Sequence, residues 1–252
     1  MLAPRLTGRR ITGVQFFSRR VLRGRPRQVA ARLEGTTVEA VRRHGKFIVV
    51  ELDGGLVLTL HLGMTGTLLW DAAPGPHTRA LFRFPHGRLL FDDPRQFGRI
   101  EVGDSLPERV TRLGPDALSI SLDDFAQRLR QRRGIIKPVL LNQTVLRGLG
   151  NIYTDEALFR ARIHPRAIAG RLRAERLRRL HEAIQEVLHA AVQAGGSSIS
   201  DYVNAEGREG LFQFEHRVYG RTGEPCSVCA TPIRRIVVAQ RGTHYCPKCQ
   251  RL

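Results

Sequence analysis

Lysine is nearly absent from this strongly basic chain: Lys46, Lys137 and Lys248 are its three lysines among 41 basic residues. An arginine bias of this size reflects a GC-rich genome more often than a function. It still singles out each lysine, because an ammonium can lose its proton near neutral pH and a guanidinium cannot. Acidic residues are also in deficit, 23 against those 41, which leaves a formal net charge of +18. Such a field attracts polyanions, nucleic acid foremost. No strongly amphipathic terminal helix supports a membrane-surface protein instead. No apolar run reaches membrane-spanning length, and Met1-Leu2-Ala3-Pro4-Arg5-Leu6 lacks the apolar core of a signal peptide. Internal repeats and low-complexity segments are missing too. A hydrophobic share of 42% argues against wholesale disorder, and 252 residues suffice for one large or two modest domains with a real core.

Cysteine is scarce and concentrated. All four cysteines lie near the C-terminus, as Cys226/Cys229 and Cys246/Cys249, two C-x-x-C pairs with sixteen residues between them. Each pair can turn two thiolates to one side of a tight knuckle, and two knuckles joined by a hairpin close a tetrahedral S₄ site. The spacing favours one structural zinc over two disulfides or four unpaired thiols. Ile233, Ile236, Val237 and Val238 supply strand character, and Gln240-Arg241-Gly242 reads as the turn, with Arg241 at or near the tip. Zinc would supply much of the folding energy of so small a hairpin. Arg241 suits a phosphate or base contact, and an ordinary solvated turn arginine stays open beside it. Reduced cysteines, zinc and the absence of an export signal point to the cytoplasm.

Residues 1 to about 105 read as β-rich. Lys46–Leu52 and Leu56–Leu62 flank the turn Asp53-Gly54-Gly55, Ala80–Phe84 and Arg88–Phe91 flank Pro85-His86-Gly87, and Gly98–Val102 is a further strand. This rhythm predicts a sandwich or barrel. From Arg109 to Leu118 the pattern turns helical. Ser121 with Asp124 resembles a capping box ahead of the apolar face Leu122, Phe125, Leu129. Arg130, Arg132 and Arg133 crowd that helix's end, where cations suit the dipole. Ile135–Leu141 is helical, with Pro138 tolerable only in a first turn. Gly148-Leu149-Gly150 before an Asn151-capped helix, Ile152 to Ala161, leaves N–H groups able to hold a phosphate, a weak signal taken alone. Residues 171 to 194 form the longest helix, with Leu177, Leu180, Ile184, Leu188 and Ala191 as its buried stripe and Gly195-Gly196 ending it. Ser197 to Glu215, with its Asn204–Gly210 stretch, reads as a polar, mobile loop.

Together these pieces resemble one family. Lys46 before a strand, His61-Leu62-Gly63-Met64-Thr65-Gly66, Asp93-Pro94-Arg95-Gln96-Phe97-Gly98, Gly148-Leu149-Gly150-Asn151, Val218-Tyr219-Gly220-Arg221 and the cysteine finger are similar to the formamidopyrimidine-DNA glycosylase/endonuclease VIII family. Each motif alone is weak; their ordered succession over nearly the whole chain is specific. The resemblance implies an α+β multidomain fold: an N-terminal β-sandwich (1–113), a helix-two-turns-helix domain (114–215) and a zinc finger (216–252), with DNA in the cleft between. It implies a monomeric, zinc-containing bacterial repair enzyme of the cytoplasm and nucleoid. Such an enzyme removes oxidised bases from double-stranded DNA and then nicks the abasic site. Carried over by motif, Arg241 resembles the finger arginine that grips the lesion phosphate and assists cleavage, and Lys46 the lysine that contacts phosphate and helps as proton donor. His77, Arg133, Lys137 and Asn151 resemble backbone binders. Met64, Arg95 and Phe97 resemble the residues that fill the gap left by a flipped base, and as a set they favour oxidised purines over pyrimidines. Apart from the resemblance, core packing would explain Met64 and Phe97, and a solvated loop would explain His77.

One departure stands out. The family opens Pro-Glu-Leu-Pro-Glu, with the N-terminal proline amine as nucleophile and the glutamate as acid. Here Pro4 has an amide nitrogen, and the first glutamate is Glu34. Two explanations compete: a start assigned too far downstream of a complete enzyme, or a short form that binds damaged or abasic DNA without efficient cleavage. The retained Lys46, Met64, Arg95, Phe97, Asn151 and Arg241 favour the first. A zinc-ribbon RNA or ribosome-associated protein would explain charge and cysteines but not the Met64, Arg95 and Phe97 loops.

Overall fold

The computed structural model describes residues 2–198 and 203–252. Ile199 to Tyr202, part of the segment read as a loop, lie outside the described residues. The chain forms two compact units, Met1–Arg112 with Ser197–Gly210, and Leu113–Gly196 with Leu211–Leu252. The first unit thus takes in a short stretch from beyond the long helix, and the cysteine finger belongs to the helical unit.

The first unit contains α1 (Ala3–Leu6), β1 (Gly13–Phe16), α2 (Pro26–Leu33), β2 (Val38–His44), β3 (Phe47–Leu52), β4 (Val57–His61), β5 (Thr67–Trp70), β6 (Thr78–Phe84), β7 (Gly87–Asp92), β8 (Arg99–Gly103) and α3 (Glu108–Thr111). Its strands form two antiparallel four-stranded sheets, ordered β1-β6-β7-β5 and β2-β3-β4-β8. Apolar residues of both sheets, among them Val14, Leu68, Phe82 and Phe91 from one and Val50, Leu58, Leu60 and Ile100 from the other, meet in one core. The alternation that buries every second residue of an antiparallel strand is what stacks the sheets. α2 seals an edge of this core with Val29 and Leu33, four residues apart on one helix face. The hairpins fall where turn chemistry placed them. The helical pattern expected from Arg109 to Leu118 is cut to the four residues of α3, because Gly114-Pro115 breaks it. Gly114 packs against the carbonyls of Thr144 and Val145, where a Cβ would approach to 2.7 Å.

The second unit holds α4 (Leu122–Arg130), α5 (Ile136–Leu141), α6 (Asn151–Arg160), α7 (Ala174–Gln193), β9 (Arg234–Val238) and β10 (Arg241–Tyr245). Ser121 Oγ accepts from Asp124 N at 3.2 Å and so starts α4, while the Asp124 carboxylate turns to Arg128 instead of closing the reciprocal half of the box. Pro138 is the third residue of α5 and breaks no helical bond. The α7 stripe packs on Phe125, Leu140, Leu158 and Phe212 in a second core, and Gly195 (φ 73°) ends the helix as expected. No described helix is long and apolar enough to cross a membrane.

Two local expectations need correction. The β9–β10 turn is Ala239-Gln240, not Gln240-Arg241-Gly242: Arg241 pairs with Val238, and Ala239 (φ 47°) and Gln240 (φ 59°) are both left-handed. A two-residue loop of this kind matches the twist of the strands it joins, so Arg241 is the first residue of β10. Gly242 stays in the strand because the Arg235 guanidinium crosses it, 3.1 Å from where a Cβ would stand. The cap of α6 is Gly150, and Asn151 is the first helical residue, with one of its amide donors given to Gly242 O.

Candidate functional site

In the first unit Lys46 is exposed in the two-residue turn Gly45-Lys46 between β2 and β3. The β3–β4 register pairs Phe47 with His61, which brings that turn beside the start of the Met64 loop. His61 Nδ1 accepts from Gly63 N at 3.1 Å. Burial, with the charges of Lys46, Arg109 and Arg99 adding, holds the His61 imidazole below its usual range and so keeps it a neutral acceptor.

Met64 and Phe97 are not core residues. They are 68% and 50% exposed. A Cβ on Gly63 would lie 2.7 Å from the Phe97 carbonyl carbon, so the two loops touch backbone to backbone. Beneath them Asp93, 0% exposed, accepts from Thr65 Oγ1 at 2.6 Å and from Gly98 N at 2.8 Å. The Arg95 guanidinium lies 4.7 Å from the Phe97 ring centre, a cation–π pair that orients both. His77 is exposed, 3.5 Å from Arg79, and its carbonyl accepts from Asp93 N at 2.9 Å. The structure therefore gathers Met64, Arg95, Phe97 and His77 around one buried carboxylate.

In the second unit Arg133 is exposed after α4, and Arg130, Arg132, Arg133 and Arg171 border a hollow of about 430 Å³. None of the four has an acidic partner among the described residues, which leaves a patch of uncompensated positive charge. Lys137 is placed differently from the backbone-binder expectation. It is 0% exposed, and its ammonium donates to Asp155 Oδ1 at 2.6 Å, Thr243 Oγ1 at 2.8 Å and Gly242 O at 3.1 Å. An ammonium has three donors, and all three are used inside the protein. Burial pushes its pKa down, and Asp155 pulls it back up. Asn151 Nδ2 donates to the same Gly242 carbonyl at 3.0 Å, while its buried Oδ1 has no hydrogen-bond partner among the described residues. Asp155 Oδ2 accepts from His244 N at 2.8 Å. Two helices therefore hold β10 by Gly242, Thr243 and His244, and Arg241, exposed, projects from the end of the strand so fixed. The next residue of α6, fully buried Glu156, accepts from the backbone N–H groups of Arg217, Val218 and Tyr219 and anchors the chain leading to the finger.

The four cysteine sulfurs lie within 4.8 Å of one another, with Cys229–Cys246 and Cys229–Cys249 at 3.5 Å and Cys226–Cys249 at 3.9 Å. These separations are far beyond a disulfide bond of about 2.05 Å. A tetrahedron with zinc–sulfur bonds of about 2.3 Å has edges of ~3.8 Å, so the residues fit one structural zinc. Around them Phe159, Val218 and Ile233 form a core too small to hold the hairpin unaided.

Three family models match in order: the formamidopyrimidine-DNA glycosylase N-terminal domain over residues 1–100, its H2TH domain over 113–203, and the zinc finger found in FPG and IleRS over 223–252. The formamidopyrimidine-DNA glycosylase of Solibacter usitatus is 57% identical over 251 residues, covering 99% of this chain and 95% of the relative. This chain belongs to the formamidopyrimidine-DNA glycosylase family. Among solved structures, a formamidopyrimidine-DNA glycosylase (Fpg) of Lactococcus lactis in complex with DNA containing an abasic site aligns with a TM-score of 0.91 and 36% identity, covering 100% of this chain and 96% of that one. The MutM (Fpg) protein of Thermus thermophilus aligns with a TM-score of 0.90 and 42% identity, covering 99% and 94%. Motif reading in this glycosylase chain missed Asp93, Thr65, Asp155, Thr243 and Glu156. Asp93 and Thr65 stand inside quoted motifs. The other three carry no local signal, because their roles are set by residues far away in the chain.

Proposed function

We propose that this chain carries out base-excision repair as a bifunctional DNA glycosylase and AP lyase. It removes oxidised purines, 8-oxoguanine and formamidopyrimidines, from double-stranded DNA and opens the abasic site by elimination. The observation that carries this reading is the exposed pair Met64 and Phe97 on loops braced by a buried carboxylate. Extruding a base from a duplex costs about a few kcal/mol, and apolar wedges offset part of the lost stacking. A wedge of this kind must be exposed and held still at once, and the pair is both. Arg95 is the polar member of the set, aligned on Phe97 to face the base left unpaired.

Arg241 grips the phosphate at the lesion, and Asn151 and Arg133 hold backbone phosphates, contacts that position DNA without reading its sequence. Lys137 acts at one remove, through the strand that bears Arg241. Lys46 contacts phosphate and supplies a proton at its exposed turn. In the family the amine that attacks C1′ is that of an N-terminal proline. Pro4 has an amide nitrogen and cannot supply that amine, and the Glu34 carboxylate accepts from Val14 N at 2.9 Å. The reading places the protein with the chromosome in a bacterial cytoplasm.

Sodium borohydride trapping on an abasic duplex, with excision from an 8-oxoguanine duplex alongside, tests this reading. The 252-residue chain is compared with a version preceded by a segment opening Pro-Glu. Trapping by the extended protein alone assigns the proline amine as nucleophile. Trapping by both implicates another amine, Lys46 first. Binding to abasic DNA with neither trapping nor excision by either form overturns the enzymatic reading in favour of a damage-binding protein.

A further inference from the structure

A fully buried carboxylate without a cation is costly, and Asp93 has no cationic partner among the described residues. Its environment is built around the charge all the same. Thr65 Oγ1 donates at 2.6 Å and Gly98 N at 2.8 Å. Arg95 N in turn approaches Thr65 Oγ1 at 3.4 Å. The Asp93 backbone is used as well: its N–H donates to His77 O at 2.9 Å and its carbonyl accepts from Arg79 Nε at 2.8 Å. Gly98 admits the carboxylate, since a Cβ there would meet the Phe91 ring at 2.4 Å and Asp93 Oδ2 at 3.1 Å.

The partners share one property. Thr65 follows Met64, Gly98 follows Phe97, and His77 is itself a candidate backbone binder. Each side-chain contact of Asp93 thus lands next to a residue that the proposed function brings to DNA. Sheet stability alone gives no reason for that choice, because Asp93 follows the last residue of β7 and its side chain makes no bond to another strand.

We propose that Asp93 and Thr65 are positioning residues that lock the Met64 loop and the Phe97 loop into a single rigid wedge. The proposal rests on the reading of Met64 and Phe97 as the groups that replace an extruded base. With the lock closed, both side chains enter the stack together, and the ordering of two loops is completed before DNA arrives. With it open, each loop must find its place during extrusion. The Thr65 hydroxyl is the part that can be removed with least disturbance, since valine has nearly the same shape.

Stopped-flow fluorescence of 2-aminopurine placed beside an abasic site in a duplex reads the step directly. A phase whose rate depends on protein concentration reports capture, and a later concentration-independent phase reports wedge insertion. Thr65→Val is expected to slow insertion by at least about tenfold, the effect of losing one hydrogen bond to a charged group, with the capture rate unchanged. Thr65→Ser, which keeps the hydroxyl, is expected to restore insertion. A merely structural role would lower the observed capture rate through a smaller folded fraction and leave the insertion rate alone. Insertion at the unmodified rate in Thr65→Val, or equal slowing in Thr65→Val and Thr65→Ser, overturns the lock. Met64→Ala serves as the separate control. If it leaves insertion unchanged, the wedge reading itself falls; if it slows insertion while Thr65→Val does not, only the lock falls.

Discussion

Replacing Lys137 with methionine isolates the buried pair that holds β10. Methionine fills nearly the same volume, so little cavity term enters, and the loss is electrostatic. In the native structure Asp155 receives Lys137 at 2.6 Å and His244 N at 2.8 Å. Without the ammonium, Asp155 Oδ1 is a fully buried carboxylate oxygen with no donor, and Thr243 Oγ1 and Gly242 O each lose a bond. Removing one partner from a buried pair costs about 3–5 kcal/mol, a large share of a typical domain stability of about 5–15 kcal/mol. Urea unfolding is the assay, with two probes. Circular dichroism at 222 nm follows the helices, most of them in the second unit, and the fluorescence of Trp70, the single tryptophan, reports the first. The helical transition is expected to move to lower urea in Lys137→Met. Pairing Lys137→Met with Asp155→Leu is expected to recover much of the loss, because an apolar pair leaves no orphaned charge. A loss below about 1 kcal/mol in the single variant, or a double variant as unstable as the single one, would refute this account.

Chelating the zinc is expected to unfold the β9–β10 hairpin while leaving α7 intact, since binding supplies about 10–16 kcal/mol in such fingers; rapid amide exchange at Thr243–Tyr245 without loss of helical signal is the measurement. Arg133→Ala is expected to weaken duplex binding for all sequences alike and to lower the slope of log K against log salt by about 0.9, one phosphate contact; an unchanged slope removes Arg133 from the interface. Acid is expected to destabilise the fold through three histidines. Burial, in each case the largest cause, lowers the pKa of His61, His164 and His216. The folded state then binds fewer protons than the unfolded one, so stability is intact above the ordinary histidine value of about 6.5. It falls as pH drops below that value and levels off beneath each folded pKa. A melting temperature flat from about pH 7.5 to about pH 5.5 would contradict this.

Glycine, proline and the alternation of apolar residues made the strands and hairpins of the first unit legible, because turn geometry and sheet pleat act over a few residues. The same holds for the α7 stripe, for Pro138 in the first turn of α5 and for the paired C-x-x-C knuckles. Errors came where two distant segments share a decision. The finger turn slipped by one residue because Gly242 looked like turn glycine, whereas its strand position answers to Arg235 across the hairpin. Asn151 looked like a cap because caps favour asparagine, whereas its amide is drawn to Gly242, far along the chain.

Composition and motif order by themselves determined that this protein is a nucleic-acid-directed, zinc-stiffened member of a glycosylase family. Net charge, cysteine spacing and local turn chemistry are properties of the chain that survive in any conformation. Tertiary structure alone decided which flagged residues face outward. It exposed Met64 and Phe97, which apolarity would have buried, and it buried Lys137, which charge would have exposed. The physical reason is common to both. Desolvating a charge is tolerable only where partners from other segments converge on it, as Asp155 and Thr243 do on Lys137. Met64 and Phe97 stay in water on loops whose backbones are tied by distant partners, Thr65 and Gly98 both donating to the Asp93 carboxylate. Convergence of distant segments is a property of the fold.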